Sequence, residues 1–240
     1  MDKDILLSVQ NLTVAFGKRL VIRDLSFDLH KGDTLAVIGP NGSGKTVLLK
    51  ALLDLVPYEG KIVWAPGARL GYVPQKIAAD RQMPLIVRNL LEAKAHCLKL
   101  SQGDIQEVAT LVGFTPELMN AGIGILSGGQ FQKALIALAL LGKPNVLLFD
   151  EPTASLDELE EDRIYELMER LQKQWNLTIL LVSHDLSIVH RSANLVLCLS
   201  KSKTCIGSPD KVLTQEILEA AYSAPQQYYQ HVEEHWEQRS

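Results

Sequence analysis

Gly39-Pro40-Asn41-Gly42-Ser43-Gly44-Lys45-Thr46 constrains what this chain can fold into more than any other segment. It fits GxxxxGK[ST] and separates an apolar run, residues 34–38, from one in which Val47, Leu48, Ala51, Leu52 and Leu55 keep helical spacing. A strand that feeds a glycine-rich turn and then a helix lets successive N–H groups converge on an anion at the positive helix end. Lys45 can then neutralise β/γ-phosphate charge, and the Thr46 hydroxyl can ligate Mg2+. The plain alternative is a glycine-rich connector, which the strand-to-helix placement disfavours.

Around this loop the pattern predicts short strands over 5–9, 21–29, 61–64 and 69–73, and a helix from Lys45 until Pro57 stops it. From Asp80 to about Met119 the texture turns helical, over 87–98 and 104–112, with Gly103 and Gly113 as breaks, so an inserted helical subdomain is expected. Apolar runs at 146–149 and 177–182 flank a long helical pattern, 158–175. Strands alternating with helices of this length predict βαβ units and a largely parallel sheet. The 226–240 stretch is polar and reads as a docked or frayed tail.

Composition removes several classes. A chain of 240 residues, 47% hydrophobic and 22% charged, can bury one large core or two small ones. Its longest unbroken apolar run, 134–141, is far short of the ~20 residues a spanning helix needs, so no membrane span is expected. With 24 Lys+Arg against 28 Asp+Glu the net charge is -4, and no basic stripe suits nucleic acid. Met1-Asp2-Lys3-Asp4 shows no signal-peptide pattern. Cys97, Cys198 and Cys205 form no CxxC and read as buried thiols of a reducing compartment.

Val146-Leu147-Leu148-Phe149-Asp150-Glu151 is a second chemical element. Its apolar residues read as a buried strand delivering Asp150 to the carboxyl end, where ligands of open α/β sheets bind. Asp150 can hold a Mg2+ shell there, and Glu151 can orient or deprotonate an attacking water.

Between these two elements lies Leu126-Ser127-Gly128-Gly129-Gln130, and with it the chain resembles the ATP-binding subunit of an ABC transporter over about residues 5–222. The fold this implies is α/β: a P-loop NTPase (RecA-like) core with a parallel sheet, an N-terminal antiparallel β subdomain and a helical subdomain inserted at about 80–130. The resemblance implies ATP contacts from Phe16 (stacking on adenine), Gly39, Pro40, Asn41, Gly42, Ser43, Gly44, Lys45, Thr46, Val47, Ser127, Gly128, Gly129 and Gln130. It implies Mg2+ contacts from Thr46, Gln75 and Asp150, and catalytic roles for Glu151, His184 and Gln75, with Ser155-Leu156-Asp157 as the family's D-loop. Phe16 could instead be core packing, and Gln75 or His184 alone could be structural. The family works as head-to-tail dimers, in which Ser127 and the Gly128-Gly129 backbone of one subunit close over the γ-phosphate held by Lys45 of the other. The implied partners are therefore a second ATPase subunit, a transmembrane permease and, indirectly, a solute-binding protein, at the cytoplasmic face of the inner membrane.

Some residues depart from the family pattern. Val47 stands where a second hydroxyl often touches the α-phosphate, removing a contact of about 1 kcal/mol. Lys133 and Leu138 replace the usual arginines after the signature, and lysine cannot reproduce a bidentate arginine contact. For cargo, Tyr72-Val73-Pro74-Gln75-Lys76, Asp80, Pro84-Leu85-Ile86-Val87, the run from Gly207-Ser208-Pro209 to Val212-Leu213-Thr214, and Ala220-Ala221-Tyr222 resemble zinc- and manganese-type importers. Iron chelates and cobalamin are the next candidates, and a permease-free ATPase of iron-sulfur cluster assembly is the alternative function. The tail's His231 and His235 could share a weak metal, though a solvated tail is the expected state.

Overall fold

The computed structural model describes residues 4–75, 84–154, 156–200 and 204–222. Alternating burial gives β1 (Ile5–Phe16) and β2 (Arg19–His30) one apolar face each, and Leu7, Val9, Leu12, Ile22, Leu25 and Leu29 are buried there. Both strands outrun the short pieces expected from sequence, because a tight turn at Gly17-Lys18 joins them into one antiparallel hairpin. After β3 (Thr34–Ile38) and α1 (Lys45–Leu52), β4 (Glu59–Trp64) returns to the other edge of β1. The result is a three-stranded antiparallel sheet.

The helix after the glycine loop stops well before Pro57. Asp54 takes a left-handed φ of 57°, the Leu55 amide reaches back to the Lys50 carbonyl at 2.8 Å, and the Asp54 amide reaches Ala51 at 3.0 Å. That double closure terminates α1, and Leu55 is left 63% exposed rather than on its buried face.

β5 (Leu70–Val73) leads to an all-helical stretch: α2 (Val87–Cys97), α3 (Gln102–Leu111), α4 (Pro116–Met119) and a 3-10 turn at Ile123–Ile125. Ser101 and Thr115 cap α3 and α4 through their hydroxyls. α5 (Gly128–Leu140) then returns the chain to β6 (Val146–Asp150), α6 (Glu158–Trp175) and β7 (Thr178–Val182). Beyond them lie α7 (Leu186–Ser192), β8 (Leu195–Leu199), β9 (Thr204–Gly207), α8 (Pro209–Val212) and α9 (Gln215–Tyr222), elements the sequence pattern did not single out. The six-stranded sheet runs β5-β6-β7-β3-β8-β9, parallel except for the antiparallel pair β8–β9.

Every residue of β3, β6 and β7 is buried, as in a sheet covered on both faces. Val146 and Leu148 pack with α1 and the antiparallel sheet, whereas Leu147 and Phe149 pack with α2, α3, α5 and α6. The carboxyl ends of β3, β6 and β7 therefore emerge side by side. Contrary to expectation, Cys97 is exposed at the end of α2, whose buried face is Val87, Leu91 and Ala95. Cys198 is buried and pairs across the strands with half-buried Cys205. Ser155, Lys76, Asp80, His231 and His235 lie outside the described residues.

Leu91 is fully buried where α2 meets α5. Leu91→Ala should lower unfolding free energy by about 2–5 kcal/mol, while Leu98→Ala, at an exposed position, should stay within about 0.5 kcal/mol. Urea unfolding of both variants checks this.

Candidate functional site

The loop after β3 is shaped by two glycines. Gly39 has φ 147°, and a Cβ there would run into the Leu199 carbonyl oxygen of β8. Gly44, φ 106°, starts α1, and its Cβ would fall 2.9 Å from Val21 Cγ1. The Gly39 amide donates to the Tyr222 phenol of α9 at 3.0 Å, so a C-terminal helix pins the loop's first residue. Ser43 Oγ is buried with no hydrogen-bond partner among the described residues, an orphan donor inside the loop.

Lys45 is only 6% exposed. Its ammonium donates to the Gly39 carbonyl at 2.9 Å and the Pro40 carbonyl at 3.4 Å, and lies 3.6 Å from Glu151 Oε1. Thr46 Oγ1 donates to Asp150 Oδ1 at 2.9 Å, and the Tyr72 phenol donates to Oδ2 at 3.3 Å. Burial pushes the Asp150 carboxyl above its ordinary pKa; the bonds from Thr46 and Tyr72 oppose that shift, and neighbouring Glu151 adds to it. Burial, and next the Asp150 charge, push the Tyr72 phenol up to about 12. Glu151 holds a left-handed φ of 48°, a strained conformation for a non-glycine residue that costs roughly 1–3 kcal/mol. Its Oε2 accepts from Gln75 Nε2 at 2.6 Å.

These groups edge an open cleft of about 650 Å3 lined by Phe16, Arg19, Val21, Asn41, Gly42, Gly44, Lys45, Thr46, Val47, Gln75 and Glu151. Phe16, at the end of β1, is 46% exposed on its wall, so it is not core packing. The chemistry offered is a cradle of amides and one ammonium beside a carboxylate-hydroxyl pair.

The family model for ABC transporters matches residues 22–154. The chain is 37% identical over 208 residues to the zinc import ATP-binding protein ZnuC of Mannheimia succiniciproducens, covering 86% of this chain and 77% of that protein. It is 39% identical over 211 residues to the ZnuC of Yersinia pestis, covering 88% and 82%. This chain belongs to the ABC transporter family. Among solved structures, a chain of an inward-facing ABC transporter described as of metal-chelate type superposes with TM-score 0.84 at 30% identity, covering 92% and 90%. The cbiO1 protein of Clostridium perfringens, part of an ABC transporter complex, shares the fold at TM-score 0.77 and 24% identity, covering 90% and 93%. The protein is thus an ABC ATPase with an ATP site, and among its described residues no helix is long and apolar enough to cross a membrane.

The other sequence-derived positions of this ABC ATPase lie outside the cleft lining. His184 is exposed just beyond β7, next to Asp185, whose carboxylate caps α7. Ser127 is itself the N-cap of α5: Ser127 Oγ accepts from the Gln130 amide at 3.2 Å, and Gln130 Oε1 accepts from the Ser127 amide at 3.0 Å. The helix starts at Gly128, six residues before the apolar run 134–141, because a capping box rather than hydrophobicity opens it. Sequence reasoning missed Arg19 and Val21 on the cleft wall, and Tyr222 beneath the loop; only the hairpin that carries Phe16 could have hinted at the first two.

The raised folded-state pKa of Asp150 means the folded protein binds this proton more tightly than the unfolded chain, so stability falls as pH rises through that pKa. Asp150→Asn should therefore melt at a higher temperature than the parent at pH 7 without ligands. The gap should narrow on acidification, where the parent carboxyl is also neutral. Calorimetry across pH checks both the sign and the trend.

Proposed function

We propose that this ABC ATPase powers a prokaryotic importer of divalent metal, with zinc as cargo. The convergence of Lys45, Asp150, Glu151 and Gln75 at the carboxyl ends of the parallel strands carries the ATPase part of the reading. The names of the ZnuC relatives, together with segments 72–75, 84–87 and 207–222, support the cargo.

In this reading ATP lies along the cleft with adenine stacked on Phe16 and its phosphates in the 39–47 loop, where Lys45 leaves the Gly39 carbonyl for the β/γ-phosphates. The donor set fits Mg2+: the Thr46 hydroxyl and the Asp150 carboxylate are oxygen ligands already in contact, Gln75 supplies an amide oxygen, and buried Asp150 gains from a cation. A Mg2+ ion held by these residues would supply positive charge against that developing on the transferred phosphoryl group. Glu151 orients and deprotonates water, and Gln75, bonded to it in the resting state, ties that step to the adjoining helices. His184 reaches the γ-phosphate only as the site closes. Ser127, Gly128, Gly129 and Gln130 act on the ATP of a second, head-to-tail subunit. The catalytic domain spans 1–222, with the helical part at about 80–130 facing a membrane permease that a solute-binding protein loads. The assembly sits on the cytoplasmic face of the inner membrane.

Glu151→Gln should bind ATP with parental affinity but hydrolyse it about 100-fold more slowly or worse, the range expected for loss of a general base. Single-turnover hydrolysis beside equilibrium ATP binding measures both, and parental turnover would remove Glu151 from that role. Used as bait on membranes, the full chain should recover a polytopic permease. The reconstituted complex should then take up zinc-65 with ATP; recovery of no permease, or uptake of a different solute only, overturns the importer reading or its cargo.

A further inference from the structure

One carboxylate already holds the signature loop. Ser127 Oγ donates to Glu160 Oε1 at 3.0 Å, and the Gly129 amide donates to Glu160 Oε2 at 3.1 Å. Both oxygens of a planar anion are thus gripped by the first turn of α5, where unpaired amides and the helix dipole favour negative charge. Gly129 permits the approach: a Cβ there would lie 2.9 Å from the Glu160 carboxyl carbon. Glu160 is not needed to cap its own helix, because the Asp157 side chain already accepts from the Glu160 amide at 2.8 Å. Its carboxylate is therefore committed across to the neighbouring loop rather than within α6.

These donors are the ones that, in the reading above, close over the γ-phosphate of the other subunit. The Ser127 hydroxyl has one hydrogen and the Gly129 amide has one, so neither serves carboxylate and phosphate fully at once. Two anions at one helix start also repel each other.

We propose that Glu160 is an internal anion that occupies the signature loop in the resting subunit, and that it must be displaced by ATP carried on the partner subunit before the pair can close. Glu160 thereby sets the ATP concentration at which two copies of this chain associate. The proposal rests on the head-to-tail reading, and its test separates the two.

The full chain carrying Glu151→Gln, which retains ATP, is compared with the same chain carrying Glu160→Gln or Glu160→Ala in addition. Sedimentation velocity across ATP concentrations reads the midpoint of dimer formation, and ADP binding to the monomer reports on the 39–47 loop alone. Removing the competing charge should lower the ATP midpoint by about three- to tenfold, the net scale of one ordinary hydrogen bond, with ADP affinity unchanged. An unchanged or higher midpoint would show that Glu160 only props the loop, and would overturn the proposal while leaving the head-to-tail reading intact. Absence of any ATP-dependent dimer in the Glu151→Gln chain would remove both. The alanine variant keeps the test decisive should the glutamine variant fold poorly.

Discussion

A buried ammonium must find acceptors, and the acceptors of Lys45 exist only because the loop before it curls back on itself. The carbonyls of Gly39 and Pro40 turn inward to receive it, and Glu151 supplies the balancing charge across the cleft. That curl requires the backbone at Gly39 to pass directly over the Leu199 carbonyl, a path closed to any side chain. The loop is therefore held from outside as well as from within. β8 forms its floor, and α9 accepts the Gly39 amide through Tyr222. Two late elements of the chain, far in sequence from the glycines, are thus part of the phosphate cradle.

Apart from the Ser43 hydroxyl, the charged and polar side chains named at the resting site hold one another. Thr46 bonds to Asp150, Gln75 bonds to Glu151, Lys45 bonds to carbonyls, and the signature serine bonds to Glu160. A nucleotide entering such a site exchanges hydrogen bonds rather than creating them, so the net gain per contact stays near the modest value of roughly 0.5–1.5 kcal/mol. Strain at Glu151 fits this arrangement, because a left-handed residue is held only while its surroundings over-determine it.

Legibility from sequence followed the range of the determining interactions. The 39–46 loop, the apolar strand ending in Asp150 and the long amphipathic α6 are local patterns, and each lies where its pattern indicated. α1 ended early because Asp54 adopts a left-handed cap, a role usually filled by glycine and invisible to a search for helix breakers. α5 begins six residues before its apolar run, because glycines at 128 and 129 hide a helix start that the Ser127–Gln130 capping box stabilises. β8 and β9 escaped notice because short strands are stabilised by neighbours in the sheet rather than by their own periodicity. Cys97 was misjudged because helix C-terminal position, not residue type, decided its exposure.

The sequence by itself determined the chemistry: an anion cradle, a carboxylate pair at a strand end, and a serine-glycine helix start, all written in contiguous residues whose backbone needs are local. Only the tertiary structure decided who meets whom. Phe16, Gln75 and Glu151 share a cleft because the antiparallel sheet packs beside the parallel one, and Glu160 meets Gly129 because α5 and α6 run together on one face of the parallel sheet. Those contacts join residues tens of positions apart, and their geometry depends on the packing of whole elements, which no short window of sequence specifies.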